Sequence, residues 1–353
     1  MILADTYPMK NKRKYITYIF ILLVVAVGYV GWTLFGTTIN EPAEKFFYIH
    51  TGSSYQSVKD SLIKKKIISG TFWFDRIAKY LDYDKAIKPG KYKINHGMSL
   101  IKLVRMLRSG NQSPVNLVII KLRTKEDLAR KLANNFESDS VAVINFLNNN
   151  DSLSKYNLDS NTVITAVIPN TYVLKWNNTT SSIFKKLFTE QQKFWTKKRK
   201  EEAEVLHLTE KEVYTLASIV EEETNKEEDK GNIASVYLNR MRTGMKLAAD
   251  PTVKFAMKDF GLKRIYFKYL SYPSPYNTYQ VQGLPPGPIC TPSINTIDAV
   301  LNAPATNYLF FVAKPDFSGY SNFASTYEEH QKFAKAYQQA LDSIIRMKQQ
   351  NQN

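Results

Sequence analysis

The sequence predicts an α+β protein carried on one N-terminal transmembrane helix. Three observations predict it. Ile16 to Gly36 is a long apolar run with no charged residue. Residues 46–110 read strand–helix–helix–strand–helix. Residues 111–353 alternate capped helices with short apolar strands and one long Pro/Gly/Tyr-rich stretch.

The apolar run comes first. About 20 residues at a rise of about 1.5 Å cross a hydrocarbon core of roughly 30 Å. Tyr15, Tyr18, Tyr29 and Trp32 lie toward its ends, where amphipathic rings favour the membrane interface. Lys10, Lys12, Arg13 and Lys14 precede it, and Glu41 and Glu44 follow it. The positive-inside rule then puts a basic tail, residues 1–15, in the cytoplasm and everything after residue 36 outside it. The competing reading is a cleaved signal peptide. The run is longer than a usual h-region of about 7–15 residues and lacks a clear A-x-A site.

Residues 37–45 read as a linker. Within the first module, Phe46 opens a strand, Val58, Leu62 and Ile63 keep helical spacing, and Phe72 to Leu81 is a second helix. Lys91-Tyr92-Lys93-Ile94 alternates like a strand after the Pro89-Gly90 turn. Ser99 caps a helix from Leu100 to Arg108, closed by Gly110. Further on, Val115 to Ile120 is a strand, Lys125 to Phe136 and Ser140 to Asn148 are helices, and Asn148 to Asn161 is a loop. Thr209 to Glu212 is a capping box that starts a helix through Val213, Leu216, Ala217 and Val220. Gly231 to Arg242 forms the next helix. Asp250-Pro251 reads as an N-cap with Pro at N1, opening a helix to about Phe260. Tyr272 to Pro292 cannot be regular helix. Ser293 to Ala303 is a capped helix, Tyr308 to Ala313 a strand, and Tyr327 to Lys348 a final amphipathic helix.

Composition narrows the chemistry. The 48 Lys and Arg outnumber the 32 Asp and Glu in 353 residues, for a formal net charge of +16. On an exported domain such charge suits an anionic envelope polymer or lipid headgroups rather than nucleic acid. No zinc-finger, helix-turn-helix or RNP pattern accompanies it. A single cysteine, Cys290, excludes an intramolecular disulfide and a Cys-based zinc site. The four histidines are scattered, so no metal site and no cofactor are expected.

The chemical candidate is the run Glu221-Glu222-Glu223 at the end of the helix capped by Thr209. At about 100° per residue, Glu222 points away from the apolar stripe, while Glu221 and Glu223 flank its two edges. A carboxyl at such a rim is partly desolvated, which raises its pKa and suits it to general acid work. The plain alternative is a solvated acidic helix end that continues into Glu227, Glu228 and Asp229.

The stretch Leu216-Ala217-Ser218-Ile219-Val220-Glu221-Glu222-Glu223-Thr224 resembles the signature of the YceG-like family of endolytic murein transglycosylases. Further matches follow in order: Ala234 to Arg240, Gly244-Met245, Asp250 to Val253, Tyr276 to Tyr279, and Gly283 to Ile289. Upstream, Ile168-Pro169-Asn170-Thr171-Tyr172 resembles another block of the family, and Phe323 with Glu329-His330 its C-terminal block. Two positions depart from the usual pattern: Ala248 stands where Gln is common and Ser321 where His is common.

The resemblance implies a LysM-like module over residues 46–110 and a catalytic domain over 111–353. It implies cleavage of the MurNAc-β-1,4-GlcNAc bond in nascent glycan strands, leaving 1,6-anhydromuramyl ends. Glu221 would act as general acid and then base, with a pKa raised to near 6. One carboxyl suffices because the muramyl C6 hydroxyl is the nucleophile, whereas ordinary glycosidases need two carboxyl groups. Asn239, Arg240, Asp250, Thr252, Tyr276, Asn277 and Thr278 are the expected substrate contacts. The implied partners are peptidoglycan and the synthases that make it, at the inner membrane with the catalytic domain periplasmic. The rival readings are a non-catalytic glycan-binding scaffold, a charge-driven nucleic-acid or headgroup binder, and a hydrolytic muramidase.

Overall fold

The computed structural model describes residues 10–262 and 264–350. Residues 1–9 of the expected basic tail lie outside the described residues. In chain order, the apolar helix α1 (Lys10–Phe35) leads to β1 (Phe46–Ile49), α2 (Tyr55–Lys64), α3 (Phe72–Tyr80), β2 (Gly90–Lys93) and α4 (Leu100–Ser109). Next come β3 (Val115–Ile119), α5 (Lys125–Asn135), α6 (Ser140–Asn148), α7 (Asn150–Ser154), β4 (Asn170–Leu174), α8 (Thr180–Phe194) and α9 (Lys197–Val205). The remainder is α10 (Glu210–Glu223), α11 (Glu227–Arg242), α12 (Asp250–Met257), α13 (Phe267–Leu270), α14 (Ile294–Leu301), β5 (Phe310–Ala313), β6 (Ser321–Ala324) and α15 (Tyr327–Gln350). The protein is mixed α+β. Its N-terminal helix is long and apolar enough to cross a membrane and fits a single-pass anchor.

The chain divides into two compact units. One comprises the residues up to Val115 with Val173–Asn178. The other comprises Asn116–Tyr172 and the residues from Thr179 onward.

In the first unit β1 and β2 pair antiparallel, with Phe47 opposite Tyr92 and Ile49 opposite Gly90. The pleat sends Phe47 and Ile49 inward against Leu62, Phe74, Leu103 and Leu107 of the helices. Ser54 and Ser99 cap α2 and α4, and Gly110 ends α4 at φ 70°, a left-handed conformation that glycine adopts without Cβ strain. The expected linker is partly fastened down. Ile39 is 2% exposed, its N–H donates to Met98 O and its carbonyl accepts from Gly97 N, both at 3.1 Å. The segment around Trp176 joins this unit from far along the chain: Trp176 packs on Tyr48 and His50, and Gln112 Nε2 donates to Asn177 Oδ1 at 2.9 Å.

In the second unit β5 pairs antiparallel with β6. The core is built around α10. The capping box forms as expected, Thr209 accepting from Glu212 N and Glu212 accepting from Thr209 N. The expected one-sided stripe does not describe this helix. Every residue from Val213 to Val220 is buried, because α11, α12 and α14 surround it. Its polar members are satisfied inside. Tyr214 donates to Val167 O at 2.6 Å, Ser218 Oγ donates to Thr215 O at 2.6 Å, and Ser218 Oγ accepts from Ile289 N at 3.0 Å. The irregular segment 271–293 is thereby tied onto α10, and α10 delivers three glutamates from a fully buried stem.

Candidate functional site

The three glutamates at the end of α10 enter three different environments. Glu221 turns toward the start of α14. Its Oε2 accepts from Ser293 N at 3.3 Å, from Ser293 Oγ at 3.0 Å and from the Thr296 hydroxyl. Lys230, whose side chain is 4% exposed, stands 3.5 Å from the same oxygen and 2.6 Å from Glu227. Burial alone would push the Glu221 carboxyl up. The Thr296 bond, the Lys230 charge and the Ser293 bonds outweigh it and hold the pKa below the ordinary glutamate value. The raised pKa expected of Glu221 is therefore not what its surroundings produce. The sequence could not show this, because Lys230 and the cap of α14 are brought there by tertiary packing.

Glu222, expected to point away from the apolar stripe, is 19% exposed and paired. Lys121 Nζ lies 2.6 Å from Oε1 and Arg123 3.5 Å from Oε2. Reciprocal bonds position this basic pair: Leu122 N donates to Thr291 Oγ1 and Thr291 N donates to Leu122 O, both at 2.8 Å. Arg123, Glu222, Lys254 and Phe260 line a small cavity of 50 Å³. Larger cavities lie elsewhere, so chemistry rather than volume selects this region.

Glu223 meets the opposite arrangement to Glu221. Tyr237 of α11 donates its hydroxyl to Glu223 Oε1 at 2.5 Å. Burial is the largest influence and raises the carboxyl's pKa. The Tyr237 bond opposes it, the Asp250 charge adds to it, and Arg240 and Lys254 oppose it. The balance leaves Glu223 at about 7. Near neutrality such a carboxyl can give up a proton and take one back.

Of the expected substrate contacts, the structure groups Arg240 and Asp250 electrostatically with Glu223. Asp250 is the first residue of α12 rather than its N-cap. Ala249 occupies the cap position, and Asp250 Oδ1 accepts from the Tyr279 hydroxyl at 2.7 Å. Arg240 donates Nε to Leu309 O at 2.7 Å and Nη1 to Leu247 O. Tyr276 packs its ring on Phe255.

The other four expected contacts spend their polar atoms internally. Asn239 Nδ2 donates to Thr306 O and Tyr308 O at 2.8 and 2.9 Å. Thr252 and Thr278 are fully buried, hydroxyl to hydroxyl at 2.9 Å, and Ala249 N donates to Thr278 Oγ1 at 3.0 Å. Asn277 closes its loop through Leu270 O and Tyr272 O. Thr252, Asn277 and Thr278 brace the segments that carry Asp250, Tyr276 and Tyr279, and Asn239 ties α11 to the segment ahead of β5. Ala248 adopts φ 49° there and donates to Thr278 O. Ser321 donates its N–H to Asp229 Oδ2 at 2.7 Å.

Sequence reading missed Tyr237, Tyr279 and Lys230. Tyr237 and Tyr279 stand inside matched motifs, so the available signal was a tyrosine within each motif. Lys230 carried none beyond a lysine within an acidic run.

The chain is 28% identical to an endolytic murein transglycosylase of Bacillus subtilis over 331 residues, covering 87% of this chain and 90% of that protein. It is 27% identical to an endolytic murein transglycosylase of Streptococcus pneumoniae over 359 residues, covering 89% of this chain and 63% of that longer protein. The crystal structure of a YceG-like protein from Listeria monocytogenes superposes with a TM-score of 0.54 at 26% identity, covering 81% of this chain and 98% of that one. Residues 47–336 match the YceG-like family, and the chain belongs to it.

Proposed function

We propose that this protein is an endolytic peptidoglycan lytic transglycosylase that cuts nascent strands at the MurNAc-β-1,4-GlcNAc bond. The observation that carries the reading is the Glu223 carboxyl, poised near neutrality among Tyr237, Arg240 and Asp250 in a chain of the YceG-like family. Protonated Glu223 donates to the glycosidic oxygen as its bond to muramyl C1 breaks. The resulting carboxylate takes the proton of the muramyl C6 hydroxyl as that oxygen closes on C1. The products are a 1,6-anhydromuramyl end and a free GlcNAc hydroxyl, no water is consumed, and the acid is regenerated. Tyr237 holds the carboxyl in place and supports its anionic state between the two steps.

Glu221 is the second reading for the same role, carried by its place in the matched motif. Its Thr296, Lys230 and Ser293 partners favour the carboxylate over the acid, which weighs against it as the first proton donor. In the reading favoured here it serves as the anchor of α14 and the counter-charge of Lys230.

The basic residues ahead of the anchor helix support an inner-membrane location with the N-terminus cytoplasmic and both units periplasmic, near the synthases that supply the strands. The strand–helix–helix–strand order of residues 46–93 supports a LysM-like, glycan-binding part for the first unit.

The experiment is to incubate the full-length protein with purified glycan strands and to weigh the new ends by mass spectrometry. Anhydro ends, lighter by one water than reducing ends, are expected. Reducing ends would make it a muramidase, and binding without new ends would make it a scaffold.

A further inference from the structure

The first unit carries a groove of 510 Å³ that the proposed chemistry does not use. One wall is the exit of α1, through Tyr29, Trp32 and Thr33, and the opposite wall is the start of α3, through Phe72 and Trp73. Phe72 is 59% exposed, and the Arg76 guanidinium lies 5.0 Å from its ring. An exposed aromatic beside a cation is an arrangement common at a bilayer surface.

The groove's height is set by the helix. Counting about 20 residues from the last basic residue before the apolar run, Lys14, carries a 30 Å core to about Leu34. Tyr29 and Trp32 then stand at the far boundary of that core. The helix end cannot swing free of the unit. Leu34 packs against the unit's core, Ile39 is bonded to Gly97 and Met98, and Asn40 N donates to Ile67 O at 3.1 Å. Phe72 and Trp73 line the same groove as the exit of α1.

We propose that this groove is a membrane-docking surface. Phe72 and Trp73 enter the boundary between headgroups and acyl chains beside Trp32, phospholipid headgroups occupy the groove, and Arg76 meets their phosphates. The anchor is then not a tether with a loose unit on it, because the unit carries a second point of contact with the bilayer. The inference rests on α1 being a membrane span.

The test uses the full chain in vesicles of phosphatidylethanolamine and phosphatidylglycerol, with nitroxide labels on single introduced cysteines. Gly70→Cys places a label in the groove where a side chain meets no neighbour within 4 Å and leaves Phe72 intact. Phe72→Cys is the second groove position. Val24→Cys marks the span and Val205→Cys, on an exposed stretch of the other unit, marks water. Unsubstituted protein controls for labelling of Cys290, which is buried. At both groove positions we expect collisions with oxygen to exceed those with a polar nickel chelate by roughly threefold or more relative to position 205, as an interfacial depth requires. Lipid character at 24 with water-like values at 70 and 72 would overturn the docking surface and leave the anchor intact. Water-like values at 24 as well would overturn the anchor reading, and the docking surface with it.

Discussion

Glu221 and Glu223 leave the same buried helix two residues apart, and their surroundings drive them in opposite directions. Glu221 faces a helix N-terminus, two hydroxyls and a buried lysine, all of which favour the carboxylate. Glu223 faces burial and the Asp250 charge, which favour the acid, against one phenol and two cations. The difference teaches that a glutamate-rich motif does not by itself say which carboxyl carries a proton. At this site the neighbours supplied by α11, α12 and α14 decide it.

The largest expected effect is on activity. Glu223→Gln should lower the rate of anhydro-end formation by about a thousandfold or more, since a positioned acid/base contributes about 10²–10⁴ and here serves twice. Its melting temperature should not fall. Glu221→Gln should keep turnover within a few fold. Its cost should appear as about 1–3 kcal/mol of stability, read from denaturant unfolding, because Lys230 is left with Glu227 alone and α14 loses its anchor.

Acidity sharpens the comparison. A carboxyl at about 7 predicts that activity falls as pH rises through that value. The Tyr237 bond favours the carboxylate, so Tyr237→Phe should move that limb upward, by up to about one unit. It should also lower the rate by roughly tenfold, because the base formed in the first step loses its support.

Stability should respond to the same two groups with opposite signs. Glu223, raised on folding, contributes stability fully below the unfolded glutamate value and loses it as pH climbs through about 7. Glu221, lowered on folding, contributes above the unfolded value and loses it as pH falls through its own. Thermal melts of the two Gln variants across pH should therefore flatten opposite ends of the stability curve.

The smallest effect tests the bracing segments. Asn277→Ala should cost about 1–2 kcal/mol by stranding two loop carbonyls, with a milder change in rate than Glu223→Gln.

Much of the fold was legible because local rules wrote it. The capping box at Thr209, the caps at Ser99 and Ser293 and the C′ glycine at Gly110 lie within four residues of what they organise. The loop expected at 148–161 contains the short helix α7, and α7, α8 and α9 each start at a local cap, Asn149, Thr179 and Thr196, outside the expected elements. The rest is long-range. The attachment of Trp176 to Tyr48 spans more than a hundred residues of sequence. The site was half legible for the same reason. The motif located the acidic turn and the loop at 276–279. Helical geometry placed Glu221 and Glu223 at equivalent edges of a stripe, and only the packing around α10 makes them unequal.

Infrared titration of the side-chain carboxyls in the full-length protein tests the central claim most directly. We predict one protonated-carboxyl band that disappears with a midpoint near 7, is absent from Glu223→Gln and persists in Glu221→Gln. A band lost from Glu221→Gln and retained in Glu223→Gln would contradict the assignment and return the proton to the first glutamate.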